Sequence, residues 1–417
     1  MSQHLAQLKI ILYKVRIRLK LVLTSVWDQS LYHLSRMTRQ RRAAVETAPA
    51  RRRILYLCEL TPARAGRMAR ILGEQTTFEI ILFCHTDGYV PEFIEGNFQQ
   101  VVRYRNQWHL KRLLDAWAPV GLIHAFAPKS YYPEIARQHT GAPYIQDMQD
   151  VVVTYHGLTP PYAWAREELI YEKSALTNAT VVAGHSLEPR AGFQLYGIAK
   201  RPRTIYLPLG CDESVFRQPV HADLSGDIHL VYAGGLAGSH RDRTQFGILQ
   251  FHHLIEVLSA QQIHFHVYPS PSTLPPDYEE YIGIARENPY FHLHDPVPHH
   301  ELTRELAQYH FGLLPFFRED SALQVAKMTY STSLKLFNFL EAGLPVIISR
   351  DIIYQHWMVM RGRAGVSVSK ADIPDLGERL RSLDYQALLA QVRQYRQQLS
   401  LQQHLKRLAT VYRSLLP

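Results

Sequence analysis

Short, nearly uninterrupted runs of branched apolar residues alternate with helical stretches along most of this chain, and that alternation leaves few folds open. ILYLCEL (54–60), EIILFCH (79–85), GLIHAFA (121–127), PYIQDM (143–148), ATVVAG (179–184) and RTIYLPL (203–209) read as strands. Helical patterns over 65–73, 108–117, 162–177 and 187–195 separate them. A second series starts near Asp227: IHLVYAGG (228–235), a helix near 244–259, IHFHVYP (263–269), FHLHD (291–295), HFGLLPF (310–316), a helix over 333–342 and LPVIIS (344–349). A strand that is apolar on both faces must be covered on both, so each series predicts a parallel sheet with helices on either side. The pattern restarts after a stretch containing Pro and Gly, Leu207 to Leu224, which divides the body into two doubly wound α/β domains. Ligands of such sheets sit beyond the carboxyl ends of the strands, and two facing domains place the expected site in the cleft between them.

The length of 417 residues suits two such domains plus extra segments. With 46% hydrophobic and 20% charged residues, the composition is globular and excludes a disordered or fibrous chain. Cys58, Cys84 and Cys211 are few and far apart, which argues against a disulfide framework or a CxxC metal clip and for a reducing compartment. The net charge of +9 is unevenly placed: residues 1–53 carry +10 and the rest of the chain sums to −1. A neutral body gives no general nucleic-acid-binding surface.

The basic excess therefore acts at the N-terminus. On a helix, Leu5, Leu8, Ile11, Leu12, Val15, Leu19, Val22, Leu23 and Val26 form one apolar arc bordered by Lys9, Arg16 and Lys20. No apolar stretch approaches the ~20 residues of a membrane span. Charges at 9, 14, 16, 18 and 20 also interrupt any signal-peptide core. Residues 5–42 are expected to lie on an anionic membrane surface, which makes the protein cytoplasmic and peripheral on the cytosolic face. The competing expectation is a helix packed on the protein's own body or on a partner.

Several motifs fail a closer reading. VVAGHSLE has the strand and the Gly184-His185-Ser186 turn of a nucleophile elbow, but Glu188 stands where the sharp turn needs glycine. No phosphate-loop sequence and no Asp-x-Asp pair occurs, and the close pairs His264/His266, His292/His294 and His299/His300 have no accompanying cysteines. Two segments carry chemistry. VYAGGLAGSHRDR sets Gly234 and Gly235 directly after a strand, with Arg241 close behind, so that backbone amides and a guanidinium could receive a diphosphate. TYSTSLKLFNFLEAGLPVIIS sets Thr332 and Ser333 at a helix start, with Lys335 in its first turn and Asn338 one turn on.

Together these residues resemble the GT-B glycosyltransferases, in particular the large retaining group that uses nucleotide-sugar donors. SLKLFNFLEAGLPVI is similar to that group's K-L-x-E-Y-x-x-x-G-x-P-V-I, HFGLLPF to its D-x-x-L-x-P, and YLPLGCDESVF to its interdomain P-N-G-V-D-x-x-x-F. The resemblance runs from about Arg53 to the C-terminus. It implies an acceptor-side domain over 53–218 and a nucleotide-sugar-binding domain over 219–380. Helices over 381–417 would pack back on the first domain, and residues 1–52 form the basic segment and linker.

It also implies transfer of a sugar from a nucleotide-diphosphate-sugar to a glycan or lipid-linked acceptor, with the donor as co-substrate and neither cofactor nor metal expected. Gly234, Gly235, Arg241, Thr332, Ser333, Lys335 and Asn338 would hold the donor. Tyr330 and Asn338 replace the group's two glutamates, and Gln149 replaces its acceptor-side histidine, so Asp147, Asp150 and His156 are the nearby candidates for the catalytic role. These departures keep two other readings open, a catalytically silent GT-B partner subunit and a nucleotide-sugar epimerase of the same fold.

Overall fold

A computed structural model describes residues 20–35, 53–59, 62–88, 92–271, 273–320 and 325–416. The expected apolar arc from Leu5 to Leu19, and the basic residues from 36 to 52, lie outside the described residues. Two sheets organise the chain. The first has seven strands, β1 (Arg53–Cys58), β2 (Glu79–His85), β3 (Gln100–Tyr104), β4 (Leu122–Phe126), β5 (Tyr144–Met148), β6 (Val181–Gly184) and β7 (Arg203–Tyr206). Their order is β3-β2-β1-β4-β5-β6-β7. The second has six, β8 (His229–Gly234), β9 (His264–Pro269), β10 (Phe291–Leu293), β11 (Phe311–Leu314), β12 (Val346–Ser349) and β13 (Gly365–Val368), in the order β10-β9-β8-β11-β12-β13.

By density of contact, one compact unit comprises the described residues of 1–147, 178–181 and 410–417, and the other those of 148–177 and 182–409. In the first unit, β1 pairs in parallel with β2 and β4, and its residues from Ile54 to Cys58 are buried, as strands covered on both faces must be. The last turns of the helix Leu401–Leu415 also belong here. The Tyr412 hydroxyl meets that of Tyr56 at 2.9 Å and His124 Nδ1 at 2.5 Å. In the second unit, Gly312 of β11 faces the ring of Phe339 so closely that a Cβ there would collide with it, which fixes how the helix Leu334–Ala342 packs on the sheet. Among the described residues, no helix is long and apolar enough to cross a membrane.

Two strands were not expected from the sequence. QVVRY (β3) alternates exposed and buried positions, and GVSV (β13) is a short edge strand of the same kind, so neither carries the continuous apolar run that marks most of the others. The helix expected over 244–259 is interrupted. A turn Arg243–Phe246 leads through Gly247–Leu249 to the helix His252–Ala260. Gly247 lies against the Asp320 carbonyl with no room for a Cβ, and this close approach is where the chain bends.

The second sheet carries a ladder of histidines. His229 Nδ1 meets His266 Nε2 at 2.9 Å, His266 Nδ1 meets His294 Nε2 at 3.0 Å, and His264 Nδ1 meets His292 Nε2 at 2.8 Å. His310 joins them by accepting from the His229 amide at 3.1 Å. These rings bond to one another rather than converge on one point, and among the described residues no group of three ligands is set to hold a metal. Burial, and then the neighbouring imidazoles, push His229 and His310 down to about 4 and hold His266 and His292 low as well. Asp227 opposes this at His229, Asp223 at His310, and Glu305 and Asp295 at His294, without reversing it.

Such groups bind protons more readily in the unfolded chain, where an imidazole titrates near 6.5. Their contribution is complete above that pH and is lost as pH falls from about 6.5 toward 4. The urea midpoint of unfolding should therefore be lower at pH 5 than at pH 7.5, and His229→Gln should flatten that dependence. Equal midpoints at the two pH values would contradict this account of the ladder.

Candidate functional site

The second unit gathers most of the nominated residues around two lysines. Gly234 ends β8 with φ of 153°, a conformation that favours glycine, and a Cβ there would collide with the Cε of Lys335. The missing side chain lets Lys335 lie across the strand end, where its Nζ sits 5.8 Å from the ring centre of Tyr232 and 5.7 Å from that of Phe316. Burial pulls its pKa down to about 8, against the opposing charge of Asp150. Among the described residues no carboxylate forms an ion pair with it.

Lys335 is in the first turn of the helix Leu334–Ala342. Ser333 occupies the cap position without capping: its hydroxyl and its amide both donate to Gln355 Oε1, at 3.0 and 3.1 Å. The helix start thus receives no side-chain cap, so its positive end adds to the lysine charge. Further along, Asn338 is buried, and its Oδ1 accepts no hydrogen bond among the described residues.

Thr332, just before the helix, reaches His185 after β6. Its hydroxyl lies 2.7 Å from His185 Nδ1, and His185 Nε2 lies 2.7 Å from the Gln149 carbonyl oxygen. A carbonyl only accepts, so Nε2 carries the proton; in the neutral ring Nδ1 then accepts from Thr332. Beside this relay, Lys327 of the helix Val325–Tyr330 donates to Asp150 and, at 2.8 Å, to Glu188 Oε1, with its Nζ 4.5 Å from the centre of the Tyr155 ring. Glu188 is fully buried and also accepts from the hydroxyls of Thr154 and Ser186, at 3.1 and 3.3 Å. Burial raises its pKa despite Lys327. At Asp150 the balance goes the other way: burial would raise the value, but the charge of Lys327 holds it below the usual range. The paired carboxylates in turn keep Lys327 well above its ordinary value.

Arg241 is placed differently from Lys335. Its guanidinium binds both oxygens of Asp277, at 3.0 and 2.8 Å, and the Gly238 amide donates to the same carboxylate at 2.9 Å. Gln250 donates to the Gly238 and Arg241 carbonyls, which closes the loop after Gly235 upon itself. Arg241 thus braces the glycine loop, with its charge already matched.

Asp147 belongs to the first unit and has no exposed surface. It accepts from Arg64 Nε at 3.1 Å and lies 3.4 Å from His124 Nε2, inside the core. His156 ends the short helix Val152–His156 against Tyr162 and Trp164. Its Nδ1 is buried without a partner among the described residues, and burial lowers its pKa. A cavity of about 470 Å³, lined by Arg243, Phe251, Leu254, Phe317, Lys370 and Ile373 among others, touches none of the nominated residues.

Sequence reasoning missed Lys327, Glu188, His185 and Asp277. The GHS turn was a visible signal for His185, but nothing local marks Lys327. Removing the lysine leaves Glu188 buried and uncompensated, so Lys327→Met should cost about 3–5 kcal/mol of stability. Denaturant unfolding measures this, and a loss below about 1 kcal/mol, the size typical of exposed pairs, would show that the network is solvated.

Residues 260–411 match the family described as "Glucosyltransferase 3-like, C-terminal domain". No curated protein matches the chain in sequence. Among solved structures, sucrose-phosphate synthase from Thermosynechococcus elongatus superposes with a TM-score of 0.63 at 14% identity, covering 87% of this chain and 99% of that one. HepE from Anabaena, in complex with UDP and glucose, gives 0.63 at 14% identity, covering 87% of this chain and 100% of the other. An E. coli trehalose-6-phosphate structure bound with UDP-2-fluoro glucose gives 0.57 at 9% identity, covering 88% and 100%. Two parallel-sheet α/β units of this kind constitute the GT-B fold.

Proposed function

We propose that this GT-B chain is a glycosyltransferase that moves a sugar from a nucleotide-diphosphate-sugar to a glycan or lipid-linked acceptor. The observation that carries the proposal is Lys335, a half-buried ammonium with no ion-paired carboxylate among the described residues, set against a glycine strand end at an uncapped helix start. Such a place suits the diphosphate of a donor. The match of residues 260–411 to a glucosyltransferase domain supports the reading. Because HepE of the same fold was solved with UDP-glucose, that is the first donor to test.

In this reaction the barrier lies in breaking the anomeric C–O bond through an oxocarbenium-like state, while negative charge gathers on the leaving diphosphate. Lys335, the helix amides behind Ser333 and the backbone at Gly235 would meet that charge, in a setting already oriented for it. The proposal therefore needs no metal ion. Asn338 Oδ1, buried and open to a donor, would take a ribose hydroxyl. On the acceptor side, Asp150 is held ionised by Lys327 and His156 is kept neutral with an open Nδ1, so Asp150 would orient the acceptor and His156 could take its proton. Thr332 and Gln149 act through His185, which ties the two sides together. The basic N-terminal segment would hold the protein on the cytosolic face of a membrane, which favours a lipid-linked acceptor.

Lys335→Ala should weaken UDP-glucose binding by about tenfold or more in calorimetry, since it removes a desolvated charge from the anion, and should cut transfer in parallel. Arg241→Ala should act less on binding and more on stability, because Asp277 already occupies that guanidinium. Unchanged binding and turnover in Lys335→Ala would remove the lysine from the donor site.

A further inference from the structure

Residues 20–35 form a helix with its two faces interchanged. A surface helix ordinarily buries its apolar side and shows its polar side to water. Here the inward side carries Asp28, which is fully buried and accepts from Arg105 Nε at 2.6 Å and Asn106 Nδ2 at 2.8 Å, with Arg112 3.8 Å away. One turn on, Tyr32 is buried against Trp108 and His139. The opposite side presents Val22, Leu23, Val26, Trp27 and Leu34, of which Leu23 and Trp27 are each 63% exposed. The buried Asp28 ties this arrangement in place, because rolling the helix to hide the apolar side would strip a carboxylate of its partners.

From this we infer that the outward face of helix 20–35 is a docking surface for an anionic lipid bilayer. The charge around it fits that partner. Lys20 opens the helix, Lys111 lies over the Trp108 ring on the neighbouring helix, and Arg105 and Arg112 share the single charge of Asp28. On the inward side the two arginines exceed the charge of Asp28, Lys20 stands at the start of the apolar stripe, and the chain through residue 53 carries +10. Leu and Val would enter the headgroup boundary, Trp27 would sit at its polar edge, and Lys20 with the other basic residues of the N-terminal segment would meet lipid phosphates. The helix is the part of the expected N-terminal arc that falls within the described residues. Both sequence readings meet in it: it packs on the body through Asp28 and Tyr32, and it keeps Val22, Leu23 and Val26 outward. The inference deepens the membrane location proposed above and rests on that reading for its partner, but its test is independent of sugar transfer.

The full chain and a Val22→Ser/Val26→Ser/Trp27→Ser variant would be sedimented with vesicles of equal parts phosphatidylglycerol and phosphatidylcholine, and with phosphatidylcholine alone. The substituted side chains are exposed, so folding is retained, and calorimetric UDP-glucose binding in solution serves as the control. The full chain should bind the anionic vesicles in preference to the neutral ones, and the variant should bind them about tenfold more weakly or less. Equal vesicle binding by the two proteins would overturn the inference. So would a dimer in light scattering that becomes a monomer in the variant, because the face would then belong to a second copy. Loss of UDP-glucose binding by both proteins, with vesicle binding still following the face, would sink the transferase reading and leave the surface standing.

Discussion

Lys327 sits between two carboxylates that reach it from separate parts of the chain, and the arrangement of the site depends on that triad. Asp150 follows β5, Glu188 opens the helix after β6, and Lys327 lies 177 residues beyond Asp150. Taking charges from water is costly, and the cost is offset only while all three remain together. Moving Lys327 away would leave Glu188 buried without its cation. The His185 relay and the hydrogen bond from the Leu187 amide to the Tyr330 carbonyl, at 3.0 Å, join the same segments with neutral groups. Thr332 and Lys335 therefore begin their helix from a fixed point.

Against that satisfied triad, Lys335 stands out by what it lacks. Its neighbours are aromatic rings and a glycine backbone, and the charge of Asp150 is felt without an ion pair. A half-buried ammonium in this state favours an incoming anion, and partial loss of water lowers its pKa to about 8 in the free protein. Arg241 makes the converse case. It carries the same formal charge and belongs to the glycine loop that Lys335 reaches across, yet its guanidinium is already matched by Asp277 and so serves the loop's shape. Proximity to a glycine turn did not distinguish the two cations, but their partners do.

Much of the fold was legible because strands covered on both faces must be apolar at nearly every position. β3 and β13 lacked that signal, and the helix expected over 244–259 breaks where Gly247 meets Asp320, a contact no local pattern encodes. The site divides along the same line. The places of Gly234 at a strand end and of Thr332 and Lys335 at a helix start could be read, because both are local features. Asp147 and Asp150 look alike in sequence, three residues apart. One still belongs to β5 and faces the core beside Arg64, while the other has left the strand and meets Lys327. Lys327 and Asp277 were illegible because their roles are fixed by partners distant in the chain.

The central claim is that Lys335 receives a diphosphate, and its own titration tests this most directly. In lysine-labelled protein followed by NMR, the Lys335 ammonium should titrate near 8 alone and shift upward with saturating UDP, because a bound anion favours the charged form. An unchanged titration in the presence of bound UDP would place the diphosphate elsewhere and contradict the account.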